Sequence, residues 1–596
     1  MSDTPSAAPV SFAEFPAVST AEWQARLARD LKGQDPATLR WPLPDGFSLE
    51  PFYHREALEA LGGAPAPLAR AQPGWLNLPT IAVPADTTGH VQIEQALEAL
   101  QQGADGIHFE LAHCASFDLA YLVERLPLAR TFIGYTVTEG ADKLLTRLLE
   151  IAPGTMLRGF LRYAPPAVPE GAELSDYRTA LRRLVALTRA MPDFRPLAVN
   201  GAFFGNRGAT TTQQVAFSLN TAAALLHYLP NEEVSLAEVA RALHVHLAIS
   251  PSYFVEIAKL RAFRRLWATL LHAYGLPADG AASLRIHAAT ASWTQTTLDP
   301  HTNLLRHTTE AMSAVLGGAD SLSIAPFDSV FAESNAFSSR LSRNLSIILR
   351  EESGLGRVQD PAAGSYFIET LTDQLAREAW ALFQRVEAAG GLPAQRGQLL
   401  EEIKEVAATT FKRIATGQQI MVGTNRFQNH QEHFSFHPKK LLRSAQFDTT
   451  RAAYPTEVLR LATAMHFERR ERKSKRAAVV LLGTNTNQLI LETFVRTLQE
   501  QERPEIANSH PEGTFSLLFS SPEEATLMYA SPEQFTRFAR FIYQIPADKQ
   551  HFIPPVLLSS DLPTMQEAVR VFGFQEMKVQ GYTTEEVLAR LQGRTA

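Results

Sequence analysis

Three histidines, His430, His433 and His437, stand three and four residues apart, a spacing that would put imidazoles on one helix face for a metal ion. Phe427, Phe434, Phe436 and Pro438 surround them, and that company reads better as a packed linker than as a metal face. Cys114 is the only cysteine of the chain. A single cysteine excludes an internal disulfide and any cysteine-rich zinc or iron–sulfur centre. No Walker-type phosphate loop and no Gly-x-Ser-x-Gly elbow is present. The run Arg469-Arg-Glu-Arg-Lys-Ser-Lys-Arg476 is basic, but such clusters read as solvated linker. The formal net charge is -6, which argues against nucleic acid or an anionic membrane as the main partner.

The elements that would position any chemistry come next. A chain of 596 residues is too long for one core, so two or three domains are expected. Hydrophobic residues make up 45% and charged residues 20%, the balance of an ordinary folded chain without a spanning segment. The first 25 residues carry neither Lys nor Arg nor an apolar run, and no window reaches the length of a membrane span. A cytoplasmic location is the expectation.

Residues 1–76 read as an extended N-terminal arm. A helix starting at Thr20 carries Trp23, Leu27 and Leu31 at four-residue spacing. Prolines and aromatics follow (Trp41-Pro42-Leu43-Pro44, Pro51-Phe52-Tyr53, Pro73-Gly74-Trp75). Proline blocks long helix or sheet there, while the aromatics need burial. An arm laid on its own domain or wrapped on a partner satisfies both. From residue 77 short apolar runs alternate with helical patterns. The runs are Pro79–Val83, Gly106–Leu111, Thr131–Thr136, Met156–Leu161, Pro196–Phe203, His244–Ile249, Leu284–Ala289 and Ser321–Ala325. Strand and helix repeating in that way predict an α/β fold, a (β/α)8 TIM barrel over 77–415. On pattern alone a doubly wound open sheet also fits. Residues 416–476 read as a linker. From 477 to 596 four strand–helix units suggest a small flavodoxin-like domain.

The stretch Ser252–Asp328 carries a family resemblance. Its pieces are Phe254-Val-Glu-Ile-Ala-Lys-Leu-Arg-Ala262 with Arg265-Leu-Trp267, Arg285 through Trp293, Asp299-Pro300 with Asn303 and Arg306, and Glu310-Ala-Met312 with Gly317-Gly318. Asp360-Pro361, Gly364-Ser365-Tyr366, Glu369 and Val422-Gly-Thr-Asn425 extend it. Together they resemble the methylmalonyl-CoA mutase family. Leu31-Lys32-Gly33, Trp41 and Pro51-Phe52-Tyr53 are similar to its small subunit. The resemblance implies a (β/α)8 barrel followed by a flavodoxin-like, cobalamin-binding-type domain. It also implies adenosylcobalamin radical chemistry that interconverts methylmalonyl-CoA and succinyl-CoA. Some members of the family are heterodimers of a catalytic and a related non-catalytic chain.

The resemblance also says where a catalytic chain keeps its site. A Tyr-His pair that polarises the thioester carbonyl corresponds here to Ala202 and Phe203, neither of which can donate a hydrogen bond from its side chain. A Gln after the Gly-Gly pair corresponds to Asp320. The clasp Thr-Ile-Arg-x-Tyr corresponds to Leu78-Pro-Thr-Ile-Ala82, without the Arg or the Tyr. The cobalt-binding Asp-x-His-x-x-Gly should follow the strand Ala477–Leu482, where the chain reads Gly483-Thr-Asn-Thr-Asn-Gln488. A near match, Asn508-Ser-His510-Pro-Glu-Gly513, lies before the second strand instead and reads as a surface loop. Arg285 matches a family arginine near the CoA phosphates, and an ion pair explains it as well. Thus Ala202, Phe203 and Asp320 are vestigial positions, and Arg285 and His510 are the candidates left for ligand binding.

The expectation is a small, non-catalytic mutase subunit with a degenerate cobalamin-type domain. It would stabilise a larger catalytic chain that holds adenosylcobalamin and the acyl-CoA. Two rivals stay open: an active acyl-CoA mutase with a divergent site, and a chaperone that docks transiently on a mutase.

Overall fold

The computed structural model describes residues 18–63, 70, 73–164, 171–277, 284–332, 335–415, 418–427, 451–453 and 457. It also describes four strands further on, Ala478–Leu482, Phe515–Phe519, Val556–Ser559 and Gln580–Tyr582.

The strands that build the site are all parallel. We number them β1 (Leu76–Asn77 and Thr80–Val83), β2 (Gly106–Leu111), β3 (Phe132–Val137), β4 (Arg158–Tyr163), β5 (Phe194–Arg195 and Leu197–Asn200), β6 (Leu243–Ile249), β7 (Ile286–Thr290) and β8 (Ser321–Ser323). β1 is broken at Leu78-Pro79. Its first half pairs with β8 and its second half with β2. β5 is broken at Pro196, and its halves pair with β4 and β6. A proline has no N–H to give to a ladder, so each break is where a strand changes partner. The pairing therefore runs round from β1 to β8 and back to β1. Ser323 Oγ reinforces the closure by donating to the Leu78 carbonyl at 2.6 Å. A helix follows every strand. This ring is compatible with the expected (β/α)8 barrel.

Each strand lies within a few residues of its predicted run, with one difference. The run read through Phe203 ends at Asn200, and Ala202–Gly205 form a single helical turn. Asn200 Oδ1 accepts the Phe203 N–H at 3.3 Å and so starts that turn. A Cβ at Gly201 would strike Ser218 Oγ, so the close approach of the turn to the helix behind it requires glycine there.

The helix Tyr253–Ala273 has polar residues buried as well as apolar ones, among them Glu256, Lys259, Arg261 and Arg264. Arg261 pairs with Asp360 and, at 2.5 Å, with Glu369, while Arg265 reaches the other Glu369 oxygen at 2.9 Å. These contacts bind it to the helix Tyr366–Ala388. Asp360 and Asp299 each precede a proline and each have positive φ, 43° and 48°. Aspartate tolerates that region better than most residues.

The arm lies partly on its own barrel. Leu43 and Leu49 are buried in the main core. Asp45 accepts the Thr212 N–H at 2.6 Å, at the start of the helix Thr211–Tyr228. Tyr53 packs on Phe367, with ring centroids 5.3 Å apart. Trp41, however, keeps 49% of its surface exposed, and Leu39 and Phe52 of the same arm are exposed as well. The 416–476 stretch is also partly docked. Arg451 donates to the Gln295 carbonyl at 2.9 Å and to Glu457 at 2.6 Å. Glu457 in turn accepts the Thr297 N–H at 2.6 Å. Trp293, Met421, Ala452 and Ala453 share one buried apolar cluster.

The four C-terminal strands are parallel, in the order Phe515–Phe519, Ala478–Leu482, Val556–Ser559, Gln580–Tyr582. The helices expected between them lie outside the described residues. Among the described residues no helix is long and apolar enough to cross a membrane.

Candidate functional site

A barrel of this kind offers two places for chemistry, the carboxyl ends of its strands and the axis between them. At the carboxyl ends of β5, β6 and β7, Ala202, Ala248 and Ala291 form a small apolar cluster. Ala202 is buried there and brings no polar atom beyond its backbone. Phe203 lies against Arg207, whose guanidinium carbon sits 3.7 Å from the ring centroid, a cation–π contact. Behind these residues is a sealed polar group. Glu256 pairs with Lys259, which donates to the Ala248 carbonyl at 2.6 Å. Glu310 accepts from Thr294 Oγ1 at 3.0 Å. Burial pushes the Glu310 carboxyl well above its ordinary range.

Arg285 and Asp320 sit at the opposite end. They lie 4.0 Å apart. Asp320 also accepts from Arg264 at 2.7 Å and from the Ile286 N–H at 2.7 Å. The five residues of β7 separate Arg285 from Ala291, about 20 Å along the strand direction. The four barrel positions singled out from the sequence thus fall into two pairs at opposite ends. His510 and the trio His430, His433 and His437 lie outside the described residues.

The axis holds what sequence reading missed. On one face of each strand stand His108 from β2, Phe160 from β4, His244 and His246 from β6, and His287 from β7. The Phe160 ring sits at the centre. Its centroid is 5.2 Å from that of His108, 5.0 Å from His244, 4.8 Å from His246 and 5.1 Å from His287. All four histidines are buried. His244 and His246 share a hydrogen bond of 2.8 Å between their Nε2 atoms. His108 Nε2 is 2.7 Å from Thr136 Oγ1, and His287 Nδ1 is 2.9 Å from Ser321 Oγ. Burial holds every one of these imidazoles below its ordinary titration range, and His287 is pushed down to about 3. They are therefore neutral, with hydrogen-bonding roles set by their hydroxyl and imidazole neighbours. No group of three or more metal-ligating side chains among the described residues is arranged to hold an ion. The signal was in the sequence: His244 and His246 are two apart in an apolar strand and so share a face.

The ring of Phe160 closes the axis. A Cβ built on Gly134 would collide with it. Gly134→Ala is therefore expected to lose about 1–3 kcal/mol of stability by overpacking. Adding Phe160→Leu should recover most of that loss in urea denaturation. A double variant no more stable than Gly134→Ala would show that the ring is not what fills the space.

Comparison with known proteins agrees with this architecture. A family model described as methylmalonyl-CoA mutase matches residues 175–480. The methylmalonyl-CoA mutase small subunit of Porphyromonas gingivalis is 35% identical over 444 residues, 71% of each chain. The probable methylmalonyl-CoA mutase small subunit of Mycobacterium tuberculosis is 36% identical over 297 residues, 48% of each chain. The methylmalonyl-CoA mutase of Cereibacter sphaeroides is 28% identical over 68% of this chain and 64% of its own length, so the match leaves more than a third of that protein uncovered. With the barrel and these similarities together, the chain belongs to the methylmalonyl-CoA mutase family.

Proposed function

We propose that this chain is the small, non-catalytic subunit of a heterodimeric, adenosylcobalamin-dependent methylmalonyl-CoA mutase. A larger catalytic chain would hold the cofactor and the acyl-CoA, and this chain would stabilise it. The blocked axis carries the reading. A substrate threaded along the barrel would have to displace Phe160 and the four imidazoles packed on it. At the carboxyl ends, Ala202 and Phe203 provide no side-chain donor for a thioester carbonyl. The small-subunit names of the Porphyromonas and Mycobacterium relatives point the same way.

The C-terminal strand order supports a flavodoxin-like domain, because Ala478–Leu482 lies between Phe515–Phe519 and Val556–Ser559. Its carboxyl end is thus the switch point where such a sheet takes a ligand. Adenosylcobalamin would supply a carbon radical there when bound. The residues do not fit it, since Gly483-Thr-Asn-Thr-Asn-Gln488 offers no imidazole to cobalt and no carboxylate to orient one. The exposed Leu39, Trp41 and Phe52 of the arm are suited to a subunit contact, and an obligate pair should bury well over about 2,000 Å². A cytoplasmic location belongs to the same reading.

The test is expression of the chain alone and together with a larger mutase chain carrying an intact Asp-x-His-x-x-Gly. The lone chain should neither bind cobalamin nor turn over methylmalonyl-CoA, and the pair should co-purify as an active heterodimer. Turnover or stoichiometric cobalamin binding by the lone chain would instead favour the divergent active mutase. A pair that separates on gel filtration would favour a transient chaperone.

A further inference from the structure

The helix Ala336–Glu351, which follows β8, has its polarity reversed. It buries Ser338, Ser342 and Ser346. Ser346 Oγ accepts from Trp75 Nε1 at 2.9 Å, and the Ser338 and Ser342 hydroxyls return to the carbonyls of Asn335 and Ser339. Its open side shows Phe337 and Ile348, 64% and 46% exposed. Leu341 and Asn344 stand between them at helical spacing. A surface helix ordinarily buries its apolar stripe and shows its polar one. Beside this helix lies a cleft of about 620 Å³, with the helix His90–Gln101 as its other wall and Thr80, Ile81, Ile324 and Pro326 along its floor. The floor is a split in the ring, because the pairing of β1 with β8 stops at Leu78. Beyond it, the Pro79 and Val83 carbonyls accept from His108 and Ala112 of the β2 side at 3.0 and 3.1 Å. Thr80 and Ala82 therefore turn their backbone groups the other way. Both are exposed, and among the described residues no strand pairs with them on that side. Two cations line the cleft. Arg340 is exposed and makes no ion pair or hydrogen bond among the described residues. Arg343 is 8% exposed, bonds to Gln102 through one terminal nitrogen, and leaves its Nε without a partner. Glu98 offsets Arg343 in part from the other wall, where it also accepts from Gln102 at 2.7 Å.

We propose that this cleft and the open side of the helix Ala336–Glu351 form one docking surface, which takes an extended, carboxylate-bearing segment of the larger mutase chain. The proposal rests on the subunit reading above. An added strand would give Thr80 and Ala82 the backbone partners they lack, as peptides do at other free sheet edges. A carboxylate on that segment would meet Arg340 and Arg343. Apolar residues beside it would cover Phe337 and Ile348, which a small molecule held in the cleft would leave in water. A second copy of this chain is a poor occupant, because an isologous contact sets the same basic patch against itself.

The test is calorimetric titration of the full chain with a larger mutase chain carrying an intact Asp-x-His-x-x-Gly, repeated with Arg340→Glu and, separately, Phe337→Ser. Each substitution should weaken the pairing about tenfold or more. Both side chains are exposed, so each variant alone should unfold within about 1 °C of the unaltered chain. Hydrogen exchange at the Thr80 and Ala82 amides should be fast in the lone chain and slow about tenfold or more in the pair. Pairing as tight as that of the unaltered chain by both folded variants would overturn this surface and leave the subunit reading standing. No pairing by the unaltered chain would overturn both. Self-association of the lone chain that Arg340→Glu abolishes would give the surface to a second copy, and that too would overturn the proposal.

Discussion

Between neutral pH and about pH 4.5 the barrel is expected to lose on the order of 3 kcal/mol or more of stability. The cause is the buried imidazole group on the axis, together with His307. Burial holds His108, His244 and His246 well below their ordinary range, and His287 and His307 are each pushed down to about 3. Unfolded histidine titrates near about 6.5. In the window between, the unfolded chain takes up protons that the folded chain refuses. The contribution is therefore fully present above the unfolded value. It is lost as the pH falls from there toward about 3, at up to about 1.4 kcal/mol per pH unit for each group. The four axial rings touch, so their protons do not act independently. Urea midpoints measured from pH 7.5 down to about 4.5 should fall steadily. His287→Gln should flatten the slope by close to one proton, which separates the histidine part from that of carboxylates. A wild-type midpoint constant across this range would refute the assignment.

Arg261→Met is expected to cost about 3–5 kcal/mol, the usual result of removing one partner from a buried ionic group. Arg261 is almost fully buried and is shared by Asp360 and Glu369. Without it Asp360 loses its guanidinium partner, and Glu369 keeps only Arg265 at 2.9 Å and the Gly364 N–H at 3.1 Å. The left-handed turn at Asp360, φ 43°, would lose its contact with Arg261. Adding Glu369→Gln should recover part of the loss, because it removes a carboxylate left short of charge, and coupling of about 0.5–3 kcal/mol is expected for neighbours in one network. Equilibrium urea unfolding of the single and double variants reads this directly. A loss below about 1 kcal/mol for Arg261→Met would mean that the helix pair is held by apolar packing alone.

Much of this architecture is legible from residue types. Val, Ile, Leu and Phe runs separated by amphipathic helices mark all eight barrel strands, because parallel strands covered on both sides need continuous apolar character. The short helix Leu119–Arg125 spans only two turns, too few to show a period by itself, although Asp118 caps it. The turn after Asn200 reads as strand because Ala202 and Phe203 are apolar. A tertiary contact, Gly201 against Ser218, decides it instead. The end of the barrel at which Arg285 and Asp320 meet could not be read at all, since a strand, a loop and the helix Thr302–Leu316 lie between them and together fix their approach. The axial histidines were visible, but a reading by apolar runs absorbs a histidine into its neighbours. That Phe160 lies among them depends on strand stagger, which no local pattern reports.

The seam that closes the barrel also sets a clock. Leu76 and Asn77 pair with Ser321 and Leu322, and Ser323 reaches Leu78 across 245 residues. No part of the ring can be sealed until the ribosome has passed that point, roughly 16–65 s into synthesis at ordinary elongation rates. Until then β1 and β7 each lack a neighbour, and the open edges can pair with another nascent chain. Arg451 and Glu457, which clamp the loop after β7, arrive later still. Yield of this chain should thus depend on how fast it is made: slower synthesis or chaperone cover protects the open ring, whereas rapid overexpression sends it into aggregates.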